Sequence, residues 1–202
     1  MARRSAEDTA ITRQNVLDAA LSVFAESGCS GATLEMIACR AGVSRGAVYW
    51  HFKGRAALLA ELLEAQRLPM EVFESEGLDL GLAIDRLQVA VQATLRDPDA
   101  RRLCELLLHK SERTQEGCLV SLRLEKAQVR FGRQVENMLL LAAERGQLVA
   151  GIEIPATLHF LKISFMGLMF ECLRAPAKHK QHLEATMDWL RTTLVAKAGA
   201  GV

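Results

Sequence analysis

Proline occurs only four times in 202 residues, aromatic residues make up 5%, and no run of alternating β-branched residues lies between turns. The last of these absences leaves no credible sheet. Half of the residues are nevertheless hydrophobic, which suits a packed helical protein and excludes a largely disordered one. Neither sign of charge dominates: Lys and Arg number 25 against 24 Asp and Glu, and the pI is about 7.7. A protein coated in positive charge is thereby excluded, so any surface for nucleic acid must be local. The five cysteines (Cys29, Cys39, Cys104, Cys118 and Cys172) include no C-x-x-C pair. That scatter argues against a disulfide framework or zinc site and for buried free thiols in a reducing compartment. The opening residues, MARRSAEDTA, lack the apolar run of a signal peptide. The most apolar later stretch, Leu158 to Leu173, is interrupted by Lys162 and Glu171 and falls short of the roughly 20 residues of a bilayer span. A soluble, cytoplasmic protein is expected. No Ser/His/Asp set, phosphate loop or metal-spaced cluster stands out, and His179 with His182 is too little for a metal site. An enzyme is the weakest reading, and no cofactor is expected.

What the chain does have is concentrated between Thr33 and Leu58, TLEMIACRAGVSRGAVYWHFKGRAAL. Leu34, Ile37, Ala38 and Ala41 repeat at i, i+3, i+4 and i+7 and so share one helix face. Thr33 is placed to cap that helix at its N-terminus and Gly42 to end it. Ser44 is placed to cap a second helix, with Val48 and Phe52 pointing inward one turn apart. Two short helices across a Gly-marked turn make a helix-turn-helix candidate. No acidic residue occurs between Glu35 and Glu61, whereas Arg40, Arg45, His51, Lys53 and Arg55 all do. This is the stretch expected to meet DNA.

The other segments are helical too. Ile11 to Ser27 repeats Leu17, Ala20, Leu21 and Phe24 on one face and is closed by Gly28. With the helix-turn-helix pair it predicts a three-helix unit cored by Leu17, Leu21, Phe24, Ile37, Val48 and Phe52. Residues 1–10 read as a frayed, solvated terminus or, alternatively, as a basic arm in which Arg3 and Arg4 touch DNA beside the main helix. A helix with Leu59, Leu62 and Leu63 runs from Arg55 towards Glu76, and Pro69 predicts a kink or an early end. Further helices are expected over 80–95, 98–110, 115–145, 155–173 and 180–196. The fold class is all-α. A helix-turn-helix DNA-binding domain is expected over 1–55, and a larger ligand-binding and dimerisation domain over 56–202.

These residues resemble the TetR family of bacterial transcriptional regulators. The matching pattern begins at Val16-Leu17-Asp18-Ala19-Ala20 and continues through Phe24 and Gly28. It then takes in Thr33 to Ala38, Ala41 to Gly46, Tyr49 to Phe52, Arg55 and Leu58. Where many members carry Lys before the fourth helix, this chain has Arg55, which keeps the charge and alters the grip on a phosphate. The stretch RRLCELLLHKSER, from Arg101 to Arg113, looks like the corresponding part of repressors of multidrug efflux pump operons. The resemblance implies a drug-responsive repressor.

A short recognition helix brings few side chains to base edges. Arg45 is the first candidate for base readout, because a guanidinium bonds guanine O6 and N7 together. Gly46 and Ala47 let the backbone approach closely. Thr33, Tyr49, His51, Lys53 and Arg55 are candidate phosphate contacts, which position without reading sequence. Ser44 and Trp50 complete the candidate surface, although an indole there is equally read as packing at the base of the helix. One such helix makes too few contacts, so a homodimer on a palindromic, double-stranded operator is expected.

The segment Leu158 to Leu173 is apolar nearly all round and so must be buried on more than one side. Leu158, Leu161, Phe165 and Leu168, with Leu183, Met187, Leu190 and Leu194, are the candidate dimer interface. A small lipophilic effector is expected to meet Phe131, Met138, Phe165, Met166, Met169 and Phe170, since thioethers adapt to varied apolar shapes. Glu105, His109, Asn137 and Glu171 are the polar groups proposed to orient it; the plain alternative for the Met and Phe stripe is ordinary core. Two rival functions remain at this point: a thiol-based redox regulator acting through Cys29, Cys39 or Cys104, and a dimeric adaptor that binds protein only.

Overall fold

The computed structural model describes residues 2–73, 75, 77–110 and 115–196, and the side chains of 2–6 and 115–117 lie outside that description. The proposed arm residues Arg3 and Arg4 are among the latter. Within the described residues the architecture is all-α, with a lone antiparallel bridge between Leu148 and Val195. The helices are α1 (Ala2–Gly31), α2 (Leu34–Ala41), α3 (Arg45–His51), α4 (Arg55–Ala65), α5 (Leu80–Arg96), α6 (Pro98–His109), α7 (Gln115–Glu144), α8 (Ile154–Arg174) and α9 (His179–Leu194). Short 3-10 turns cover Pro69–Glu71 and Pro176–Lys178.

Packing divides the chain into two compact units, one of residues 1–66 and 98–125, the other of 67–97 and 126–202. In the first, α1 packs against α2, α3, α4 and α6. Its core contains all six residues expected there: Leu17, Leu21, Phe24, Ile37, Val48 and Phe52 are buried. The frayed terminus expected over 1–10 is instead helical from Ala2. Gly28 does interrupt α1, with φ 72°. The α4 helix stops at Ala65, the early end that Pro69 implied, and Pro69 opens the following 3-10 turn.

The turn between α2 and α3 is built by local chemistry. The Thr33 hydroxyl accepts from the Met36 amide at 3.1 Å, and the Ser44 hydroxyl accepts from Ala47 at 3.2 Å. These bonds satisfy amides that a helix N-terminus leaves without intrahelical partners. Gly42 closes α2 in the left-handed region, φ 69°. Nothing lies within 4 Å of where its Cβ would stand, so the cost of a side chain there is backbone strain alone. Gly42→Ala is expected to lower unfolding free energy by about 1–2 kcal/mol, read by urea denaturation.

In the second unit, α9 packs against α5 and α8. Arg191 on α9 bonds Asp85 and Gln88 of α5 at 2.6 and 2.7 Å. Phe131, Phe165, Leu183, Met187, Leu190 and Leu194 are core residues. A buried carboxylate escaped sequence reasoning: Glu71, 2% exposed, is paired with Arg130 at 3.0 Å. Its carbonyl also accepts from Gln134. Helical periodicity ranks apolar faces and carries no signal for such a pair. The α8 helix has 21 residues and is long and apolar enough to cross a membrane by length and composition. It is longer than the stretch read from sequence, and Leu161, Phe165, Leu168, Met169 and Cys172 turn into its own unit.

Candidate nucleic-acid interface

Because α3 buries only Val48 and then Phe52 as its C-cap, the remaining side chains of this short helix are free to point outward. Arg45, Gly46, Tyr49 and Trp50 are exposed, as are Thr33, Ser44 and Lys53; Ala47, His51 and Arg55 are partly covered. Nine of the ten expected DNA contacts thus lie on α3 or at the ends of α2 and α3, and Arg55 opens α4. Trp50 is 72% exposed, with its ring edge-on to His51 at 4.6 Å. It does not pack at the base of the helix, so the structural reading of that indole is corrected.

Arg45 is held rather than loose. Its guanidinium carbon stands 5.5 Å from the centre of the Tyr49 ring, and Nη2 lies 3.4 Å from the Tyr49 hydroxyl. Glu35 of α2 meets the other side at 3.5 Å. The hydroxyl of Tyr49 first, and then the Glu35 carboxylate, raise the Arg45 pKa above its ordinary value. The group therefore stays cationic. Both contacts are exposed and of modest strength, so a guanine edge can compete for the same NH groups.

Two cations counted in the acid-free stretch are turned to structural use. Arg40 grips both oxygens of Glu26 at 2.7 Å, fastening α2 to α1 and lowering the Glu26 pKa. Arg55, expected on a phosphate, gives Nη1 to the Ala32 carbonyl at 2.8 Å. That NH is committed inward, because the α1–α2 link leaves a carbonyl beside the start of α4. Arg13 was not foreseen. It pairs with Glu61 and lies 5.2 Å above the Phe52 ring, and so ties α1, α4 and the end of α3 together. No local pattern signals a contact spanning 48 residues.

The remaining candidates divide sharply. Of the eight dimer-interface residues, seven are buried within their own chain: Leu161, Phe165, Leu168, Leu183, Met187, Leu190 and Leu194 are at most 6% exposed. Leu158 alone is partly open. This corrects the expectation: the strongest apolar register on α8 and α9 marks the chain's own core. The face left uncovered is a second stripe, Phe160 (50% exposed), Ile163 (60%) and Phe170 on α8, with Trp189 (43%) on α9. The Phe160 and Trp189 rings meet at a tilt, with centroids 5.2 Å apart.

Among the effector candidates, Phe131 and Phe165 meet at 5.0 Å in the core, where Met138 and Met169 are also buried. Met166, Phe170 and Glu171 come together elsewhere, along an open groove of about 570 Å³ that His159 and Lys162 also line. Glu171 is paired with Arg174 at 2.7 Å, which lowers its pKa. Asn137 and His109 are exposed, so neither is an interior polar group as expected. Glu105 bonds Arg101 on the same helix at 3.0 Å. The cysteines also depart from the reading in part. Cys29, Cys104 and Cys172 are buried thiols outside any disulfide, with Cys172 pushed up to about 11 by burial, but Cys39 and Cys118 are exposed.

Comparison with known proteins places this geometry. Residues 16–62 match the family described as "Bacterial regulatory proteins, tetR family". The chain is 32% identical over 187 residues to the HTH-type transcriptional regulator SrpR of Pseudomonas putida, covering 93% of this chain and 87% of that one. NalD, the secondary repressor of the MexAB-OprM multidrug efflux pump in Pseudomonas aeruginosa, superposes with a TM-score of 0.72. Its identity is 32%, over 95% of this chain and 99% of NalD. SmeT, whose structure was solved with triclosan, gives a TM-score of 0.76 at 27% identity, over 95% of this chain and 94% of SmeT. SmeT is the repressor of the Stenotrophomonas maltophilia pump SmeDEF. The capped α2–α3 pair, its outward-facing Arg45, and likeness to a curated regulator along nearly its whole length agree: this chain belongs to the tetR family of bacterial regulatory proteins.

Proposed function

We propose that the protein represses a multidrug efflux operon in the cytoplasm, binds its operator as a homodimer, and is released by a small lipophilic effector. The observation that carries this reading is the Arg45–Tyr49 pair, exposed at the start of a helix whose other face is locked into a buried core. In this reading residues 1–55 read DNA, and 56–202 bind the effector and dimerise. Arg45 reads a guanine, with Gly46 and Ala47 close to the base edges. Thr33, Ser44, Tyr49, Trp50, His51 and Lys53 set the position on the backbone.

The partner of the apolar face on α8 and α9 is a second copy of the chain. Phe160, Ile163, Phe170 and Trp189 are large apolar side chains left exposed on α8 and α9, and monomeric proteins seldom leave large apolar patches in water. Self-association there brings two recognition helices to one symmetric site, as helix-turn-helix recognition requires. The effector must bind the DNA-incompetent arrangement more tightly than the competent one, or it shifts nothing. NalD and SmeT, both named as repressors of multidrug pumps, support the assignment of target, and the SmeT–triclosan complex supports a lipophilic effector.

The test is fluorescence anisotropy on labelled DNA from upstream of the protein's own gene, titrated with triclosan. The expected result is a loss of operator affinity of about 5–150-fold, the usual range of allosteric coupling. Saturating binding of the drug with unchanged operator affinity would contradict drug-induced release. The thiol-sensor reading keeps only Cys39 as an exposed thiol on the DNA-binding helices. Cys39→Ser is expected to leave the response to peroxide unchanged in the same assay.

A further inference from the structure

An element that presents a recognition helix must itself be held at both ends, and here arginines hold it. The last carbonyls of any helix lack intrahelical donors and carry partial negative charge. At the end of α4, Arg123 supplies the donors: Nε bonds the Leu63 carbonyl and Nη2 the Gln66 carbonyl, both at 2.9 Å. Arg123 comes from the first part of α7 and is 3% exposed. A cation so desolvated is costly to leave without hydrogen bonds, and the bonds from Nε and Nη2 hold it against the end of α4. At the other end of α4, Arg55 bonds the Ala32 carbonyl, one residue before the cap of α2. Arg13 joins α1 to Glu61 in the middle of α4. The recognition unit is therefore fastened to α4, and Arg123 fastens the end of α4 to the first part of α7.

We infer that Arg123 is a positioning residue that fixes α4, and with it the recognition helix, in one orientation on the first part of α7. It thereby sets which half-site spacing the homodimer accepts. This rests on the proposed DNA-binding function. Only a planar fork reaches both carbonyls; Lys offers a single point of attachment.

The test is selection of binding sequences from a random duplex pool by the full-length wild type, Arg123→Gln and Arg123→Lys, followed by sequencing. Wild type is expected to recover one spacing between half-sites. Arg123→Gln is expected to recover several, spread over about one or two base pairs either side, with the base preference inside each half-site unchanged because Arg45 is untouched. Arg123→Lys is expected to show the same spread more weakly, and it answers the question if the Gln variant does not fold. Binding that weakens equally at every spacing, with one spacing still recovered, would overturn the inference and leave Arg123 a purely structural residue.

If wild type recovers no symmetric sequence, the DNA-binding function fails and hydrogen exchange judges the clamp by itself. Amides from Leu62 to Gln66 are then expected to exchange at least about tenfold faster in Arg123→Gln than in wild type, with the α1 core unaffected. Equal protection in the two would overturn it.

Discussion

Replacing Arg45 by Ala is expected to weaken binding to the operator by about 1–3 kcal/mol per half-site and to relax the preference at the guanine it reads. The magnitude follows from a bidentate pair whose loss leaves a guanine edge without donors. Both of its protein partners are exposed and weakly held, so nothing in the fold depends on the guanidinium. Thermal stability should therefore hardly change while affinity falls. Lys53→Ala gives the contrast: a contact to phosphate carries no sequence, so binding should weaken about uniformly and the salt slope fall by about one. Anisotropy titrations across a salt series, on the operator and on a scrambled duplex, distinguish the two. Equal losses on both duplexes for Arg45→Ala would remove it from base readout.

A charge on the uncovered apolar face should have the second large effect. Ile163 is 60% exposed, so Ile163→Asp disturbs little within one chain. In a dimer built on this face the same carboxylate would be buried without a partner, a cost of several kcal/mol. The variant is expected to sediment as a folded monomer and to lose specific operator binding, while weak salt-sensitive binding to bulk DNA persists. A dimer of unchanged affinity would show that the chains meet elsewhere. Leu190→Asp is the informative comparison. Leu190 is 1% exposed, so a carboxylate there should unfold the chain rather than merely separate two copies.

The contrast between Ile163 and Leu190 shows where sequence reasoning succeeds and where it stops. Repeats at i, i+3, i+4 and i+7 locate the face of a helix that is most apolar, and Leu183, Met187, Leu190 and Leu194 do lie together. That face goes to the chain's own core because intrachain packing takes the strongest stripe first. In the proposed dimer the partner meets the weaker stripe, Phe160, Ile163 and Trp189. Periodicity marks both stripes on α8 as apolar, and the tertiary fold decides which one is buried. The helix-turn-helix was legible for the opposite reason. Its caps, Thr33, Gly42 and Ser44, act within four residues, and its buried face and charged face differ in composition.

Contacts across long separations in the chain left no such trace. Arg13 with Glu61, Arg40 with Glu26 and Arg123 with the end of α4 are all invisible to a sliding window. Arg40 and Arg55 were therefore counted with the cations facing DNA, although both spend hydrogen bonds on the protein. The pocket residues were the least legible. Thioethers and phenyl rings look alike in core and cavity, and the structure sends Met138 and Met169 inward but Met166 and Phe170 to an open groove.

The measurement that bears most directly on the account is a nuclease footprint of the full-length protein on the DNA flanking its own gene. The expected result is one protected, symmetric segment whose half-sites lie about one helical turn apart or a multiple of it, with protection abolished in Arg45→Ala. Protection no stronger than on unrelated DNA, or a footprint unaltered by Arg45→Ala, would contradict the claim that α3 reads an operator.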